Sequence, residues 1–191
     1  MCKKVIIGAL LGGVILFFWQ FAVHMALGVY DDAFVKLKDP AAVEKVLKEN
    51  LTGSGMIMIP LPEPGDSDAE AEAKEKLTTG FSLFGAVNLD GRHSFGAMLG
   101  VQFAVNVLAS ALLMFVLLAA NPSTLGSRLA LVLCFAVFAV LTELIPSWNW
   151  WGNSLDYLGR QIGEQIVGWA LVGLALAKVM DCGTSCCADD G

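Results

Sequence analysis

The chain has 191 residues, of which 56% are hydrophobic, with a formal net charge of −6 and a mean hydropathy of +0.66. Only 16% of residues are charged, too apolar a balance for an ordinary soluble domain. The acidic excess, without a basic stripe or zinc-finger spacing, argues against nucleic acid as a partner.

Lys3 and Lys4 precede a first apolar run, "VIIGALLGGVILFFWQFAVHMALGV", from Val5 to Val29. A bilayer-crossing helix needs roughly 20 residues, so this run suffices. It is longer than the roughly 7–15-residue core of a signal peptide, and no small-x-small site closes it. Residues 1–30 are therefore expected to form an uncleaved transmembrane anchor.

Residues 31–92 hold seven Lys/Arg and twelve Asp/Glu and so carry −5 of the net charge. "DPAAVEKVLKEN" predicts a helix with Asp39 as cap and Pro40 at its first position. "SGMIMIP" reads as a strand stopped by Pro60, and "DAEAEAKEKL" as a second helix capped by Asp68. "TGFSLFGAVNL" reads as a second strand. The segment is expected to be a small α/β or α+β extracytoplasmic domain, marginal alone, with Met56, Met58, Phe81 and Phe84 mainly in its core and contact with a neighbour's surface as their alternative role.

Three further runs are long and apolar enough to cross a bilayer: Ser94–Ala120, Leu129–Ile145 and Gly159–Met180. The expected fold class is an α-helical membrane protein with four transmembrane helices and the small domain between the first and second. Residues 93–180 form its three-helix transmembrane region. Lys3 and Lys4 before the first helix, Asp31 and Asp32 after it, and Arg128 in the connection after the second lead to the expectation that both termini are cytoplasmic. Between helices three and four, residues 146–158 are expected to form an outer hairpin, with Pro146 ending the third helix and Gly152 allowing a tight turn. Trp148, Trp150, Trp151 and Tyr157 suit the headgroup layer as interfacial anchors. An aromatic cage or a quinone-edge site is the alternative use of these rings.

"WNWWG" followed by "IGEQIVGWALVGLALAKV" resembles the C-terminal signature of a family of small bacterial inner-membrane proteins of uncharacterised function. "GALLGGVILFFWQF" at 8–21 and "SGMIMIP" at 54–60 fit the same layout. The resemblance implies a multi-pass inner-membrane location and four crossings. It implies no reaction, substrate or cofactor. Relatives often carry aspartate where this chain has Glu164.

Polar residues interrupt the apolar runs: His24, Gln102, Asn106, Glu143, Arg160, Glu164 and Gln165. Gln102 and Asn106, four apart, share a helix face. Glu143 and Glu164 are expected to face other helices, headgroups or water, with His24 or Arg160 as partners. Such a cluster either holds helices together or handles protons or small solutes. The pairs Gly8/Gly12, Gly96/Gly100 and Gly173/Ala177 have the spacing that lets helix backbones approach.

Residues 181–191 form a cysteine-containing tail. Cys182, Cys186 and Cys187 lack a standard metal-site spacing, so no metal is expected. No cofactor is expected either, and Cys134 should be buried in the third helix. No nucleophile–base pair or phosphate loop marks an enzyme. The expected role is a structural or accessory subunit of a larger bacterial membrane assembly, with the lipid bilayer and other membrane subunits, or a second copy, as partners. Proton or solute handling through Glu143 and Glu164 is the alternative.

Overall fold

The computed structural model describes residues 2–91 and 94–181. In chain order the elements are α1 (Cys2–Phe21) with a π turn (Ala22–Ala26), α2 (Pro40–Asn50), β1 (Gly55–Ile59), α3 (Ser67–Thr79) and β2 (Leu83–Val87). They continue with α4 (Phe95–Ala120), α5 (Leu125–Ala139), a second π turn (Val140–Leu144), α6 (Ile145–Trp151) and α7 (Leu155–Asp181). The chain divides into two compact units, Met1–Val35 with Ser94–Gly191, and Lys36–His93.

The first unit is helical. Four of its stretches, Lys3–Ala26, Phe95–Ala120, Leu125–Trp151 and Leu155–Asp181, are long and apolar enough to cross a membrane. Their ends follow local chemistry. The Ser94 hydroxyl accepts from Ala97 N–H at the start of α4, and Asn121 closes that helix in the left-handed region at φ 45°. Thr124 and Ser127 form a reciprocal capping box at the start of α5.

One expected boundary is corrected. Pro146 does not end the third apolar helix, which continues to Trp151. The π turn before it re-routes the hydrogen bonding, with Ile145 N–H donating to Val140 O. Pro146 then lies in the first turn of α6, where a missing N–H is tolerated. Trp148, Trp150 and Trp151 consequently lie on a helix, and only Gly152–Ser154 separate it from α7. Gly152 supplies the reversal at φ 72°, a conformation that favours glycine.

Side by side, the helices run α4, α1, α7, α5. The two inner positions require small residues. A Cβ on Gly12 would lie 2.6 Å from Ser110 Oγ, and one on Gly13 only 2.5 Å from Val107 Cγ2. Gly8 meets Met114 and Leu176, Gly168 meets Trp19 and Leu16, and Gly173 meets Leu129 and Val132. Gly96 and Gly100, in contrast, face open space. Two of the three small-residue pairs therefore serve packing within the chain. Leu113, Met114, Leu117, Val132, Val172 and Leu176 build the core between these faces.

Beside that core, Lys4 Nζ donates to Met180 O at 2.6 Å, and Arg128 donates to Ala177 O at 3.0 Å and to Asp181 Oδ1 at 2.6 Å. Both cations thus satisfy carbonyls at the C-terminal end of α7. Cys134 is exposed on the face of α5, not buried as expected, because its neighbours Val132 and Ala136 turn toward the core. Cys182, Cys186 and Cys187 lie outside the described residues.

The second unit has the expected order of helix, strand, helix, strand. Asp39 caps α2 by accepting from Ala42 N–H at 3.0 Å. α3 is capped by Asp66 rather than Asp68. The Asp66 carboxylate accepts from Asp68 and Ala69 N–H at 3.1 and 3.0 Å, so the helix starts one residue before the expected cap. β1 and β2 pair antiparallel, from Gly55 opposite Val87 to Ile59 opposite Leu83. Two strands and two short helices cover little. Among the described residues of this unit only Ala73 is buried. Met56 and Phe81, expected in a core, are 62% and 70% exposed, while Met58 and Phe84 are half-buried. A two-stranded sheet has no third strand or covering layer to enclose both its faces.

Candidate functional site

One group of polar residues of the helical unit gathers where α1 ends and α7 begins. Beyond the first π turn, Gly28 adopts φ 60°, and Asp31 N–H bonds back to Gly28 O at 3.1 Å. This tight reversal swings Tyr30 onto α7. A side chain at Gly28 would strain the backbone and collide with the Asp31 carboxylate, 2.6 Å from its Cβ.

Glu164 is the centre of the cluster. Its Oε2 accepts from the Tyr30 hydroxyl at 2.7 Å, and its Oε1 lies 3.1 Å from His24 Nε2. Its backbone carbonyl accepts from Trp19 Nε1–H at 2.9 Å. The side chain is 15% exposed. The His24 and Tyr30 rings stack at 4.7 Å with planes 5° apart, and Tyr157 meets Tyr30 edge-on at 5.7 Å. Phe34 also packs edge-on against Tyr157, which places Tyr157 among the cluster's rings. Burial, reinforced by the bond to Glu164, pushes the Tyr30 phenol above its ordinary value.

One turn earlier on α7, Arg160 does not pair with either glutamate. It donates to Val29 O, to Asp32 Oδ1 at 2.5 Å and to Asp156 Oδ2 at 2.8 Å. The Arg160 guanidinium holds the Asp32 carboxyl below the usual carboxylate range. The loop after α1 is therefore fastened to α7 at two levels, by Arg160 and by Glu164.

A second rung lies deeper, between α1 and α4. Gln20 Oε1 accepts from Asn106 Nδ2 at 2.7 Å and from Gln102 Nε2 at 3.2 Å, and Gln102 Nε2 also donates to Asn106 Oδ1 at 3.0 Å. Asn106 is buried. Above this rung a cleft of about 250 Å³ is lined by Phe17, Gln20, Phe21, His24, Leu99 and Gln102, among others.

The seven polar residues named from sequence thus separate. His24 and Glu164 bond directly, Gln102 and Asn106 join the second rung, and Arg160 sits beside Glu164 with its own partners. Glu143 is exposed in the second π turn and joins neither cluster; Gln165 is half-buried with no bond to either. Trp150 and Trp151 are exposed on α6 and Trp148 is half-buried. Sequence reading missed Trp19, Gln20, Tyr30, Asp32 and Asp156. Only Gln20 carried a signal, as a polar residue one turn before His24 in an apolar run. Among the described residues no group of three or more His, Cys, Asp or Glu side chains converges as metal ligands.

Together, fold and cluster define a bundle of four helices, each long and apolar enough to cross a membrane, whose first and last helices are joined through a carboxylate. No protein-family model, curated protein or solved structure matches the chain.

Proposed function

We propose that the chain is a multi-pass inner-membrane protein and serves as a structural or accessory subunit of a larger bacterial membrane assembly. One observation carries this reading. The Lys36–His93 unit buries only Ala73 among its described residues and leaves Val46, Met56, Leu61 and Phe81 more than half exposed. Apolar surface of this extent on so small a unit is what a neighbouring subunit covers. The Glu164 and Arg160 bonds fit the same role, since they fasten the loop that leads from α1 toward that unit.

Mild-detergent extraction from the native membrane, followed by native mass spectrometry, is expected to recover the chain in stoichiometric complexes with unlike subunits. A monomer or a pure homo-oligomer under several mild conditions overturns the proposal.

The same reading places both termini in the cytoplasm. Lys3, Lys4 and Arg128 support it, with Lys4 and Arg128 both reaching the C-terminal end of α7. In intact cells, membrane-impermeant thiol reagent is expected to label Ser67→Cys and spare Ser123→Cys. The opposite pattern reverses the orientation.

Proton or small-solute handling is the second reading, and the contact of Glu164 with His24 and Tyr30 favours it. Glu143 has no place in that contact. A flux lost in Glu164→Gln and retained in Glu143→Gln would select this reading over assembly.

A further inference from the structure

The cleft between α1 and α4 combines aromatic walls with polar atoms that have unused bonding capacity. Gln20 spends its carbonyl oxygen on Gln102 and Asn106, and its amide nitrogen has no partner among the described residues. Gln102 spends its nitrogen in the same rung and leaves its carbonyl oxygen without one. His24 uses Nε2 toward Glu164, and its Nδ1 has no partner among the described residues. All three residues line the same cleft, together with Phe17, Phe21 and Phe95.

In the bilayer placement proposed above, the Gln20 and Gln102 amides sit below the helix ends. Gln20 is six residues before the end of the first π turn, about 9 Å at helical rise. Gln102 is seven residues into α4, about 10 Å. Unpaired amide groups at that depth are costly, because hydrocarbon offers them no partner. A ligand carbonyl that accepts from the Gln20 amide relieves this cost at Gln20.

The cleft also limits what that ligand is. About 250 Å³ lies just below the usual range for small-molecule pockets, so it suits one substituted ring rather than a whole lipid. Phe21, Met25 and Phe95 are exposed at its rim, which leaves a way out for an apolar tail. Phenylalanine faces and edges favour a flat ring. We propose that this cleft binds the head of a lipid-soluble quinone, with a ring carbonyl accepting from the Gln20 amide and the tail lying along the bundle's surface. The proposal concerns binding and rests on the membrane placement, not on the identity of the assembly.

The test uses the full chain in phosphatidylcholine nanodiscs, with incorporation confirmed by size exclusion so that failed insertion is distinguished from failed binding. A short-chain benzoquinone is added, and binding in excess of empty nanodiscs is measured by equilibrium dialysis. One saturable equivalent is expected. Gln20→Leu is expected to weaken it about tenfold, the loss of one good hydrogen bond. Since Gln20 also holds Asn106, a second variant leaves the rung intact. Leu99→Trp fills the cleft and is expected to abolish binding with the melting temperature unchanged. The nanodisc's own ester lipids are present throughout as the competing source of carbonyls. Absence of saturable binding in the wild-type chain overturns the proposal, as does wild-type affinity in both variants.

Discussion

Gly13→Ala is expected to destabilise the helical unit by about 1–3 kcal/mol, the usual range for forcing an extra group into a packed interface. The added Cβ would lie 2.5 Å from Val107 Cγ2, 2.9 Å from Val107 Cα and 3.0 Å from Val107 N. A side chain can rotate away, but two of these atoms are backbone of α4, so relief requires the helices to separate. Separation also loosens Gly12 from Ser110 and Gly8 from Met114 on the same face. Gly100→Ala is the control. Nothing lies within 4 Å of its Cβ, and alanine's better helix propensity contributes up to about 1 kcal/mol the other way. Denaturant unfolding in a fixed detergent, followed by far-ultraviolet circular dichroism, reads both. Equal midpoints for Gly13→Ala and the wild-type chain would refute the close α1–α4 contact.

The second large effect belongs to Glu164. Glu164→Leu removes the acceptor for the Tyr30 hydroxyl and the partner of His24, and is expected to cost about 1–3 kcal/mol, since a buried hydroxyl is left unsatisfied. Glu164→Gln should cost much less. Its amide oxygen can accept from Tyr30, and its nitrogen can donate to neutral His24. A leucine variant as stable as the glutamine variant would show that the bonds do not hold the loop.

The pH dependence adds a separate signature. Burial and the bond to Glu164 hold the Tyr30 phenol above its ordinary value of about 10, so on raising the pH the unfolded chain ionises first. Tyr30's contribution to stability is complete below about pH 10 and declines above it. Tyr30→Phe should flatten that decline. An unchanged alkaline slope in the variant would assign it to another group.

Much of the architecture was legible in the residues themselves. Bilayer-length apolar runs locate four helices because their length and hydropathy are local properties, and Asp39–Pro40 locates the start of α2 because a cap acts within one turn. Order and type of the elements in the middle segment followed for the same reason. The polar positions in the helices were also visible as exceptions in their apolar surroundings.

Which of them meet was decided by the tertiary structure. Glu143 and Glu164 look alike in sequence, but the packing of α1 against α7 brings only Glu164 to His24, while Glu143 stays exposed. Tyr30 and Asp32 lie in a loop without pattern, and the reversal at Gly28 is what delivers the first to Glu164 and sets the second within reach of Arg160. Pro146 reads as a helix end because its ring and missing N–H normally break the hydrogen-bond ladder. The π turn just before it removes that conflict by shifting the ladder one residue, a change in backbone geometry that no residue in the stretch announces.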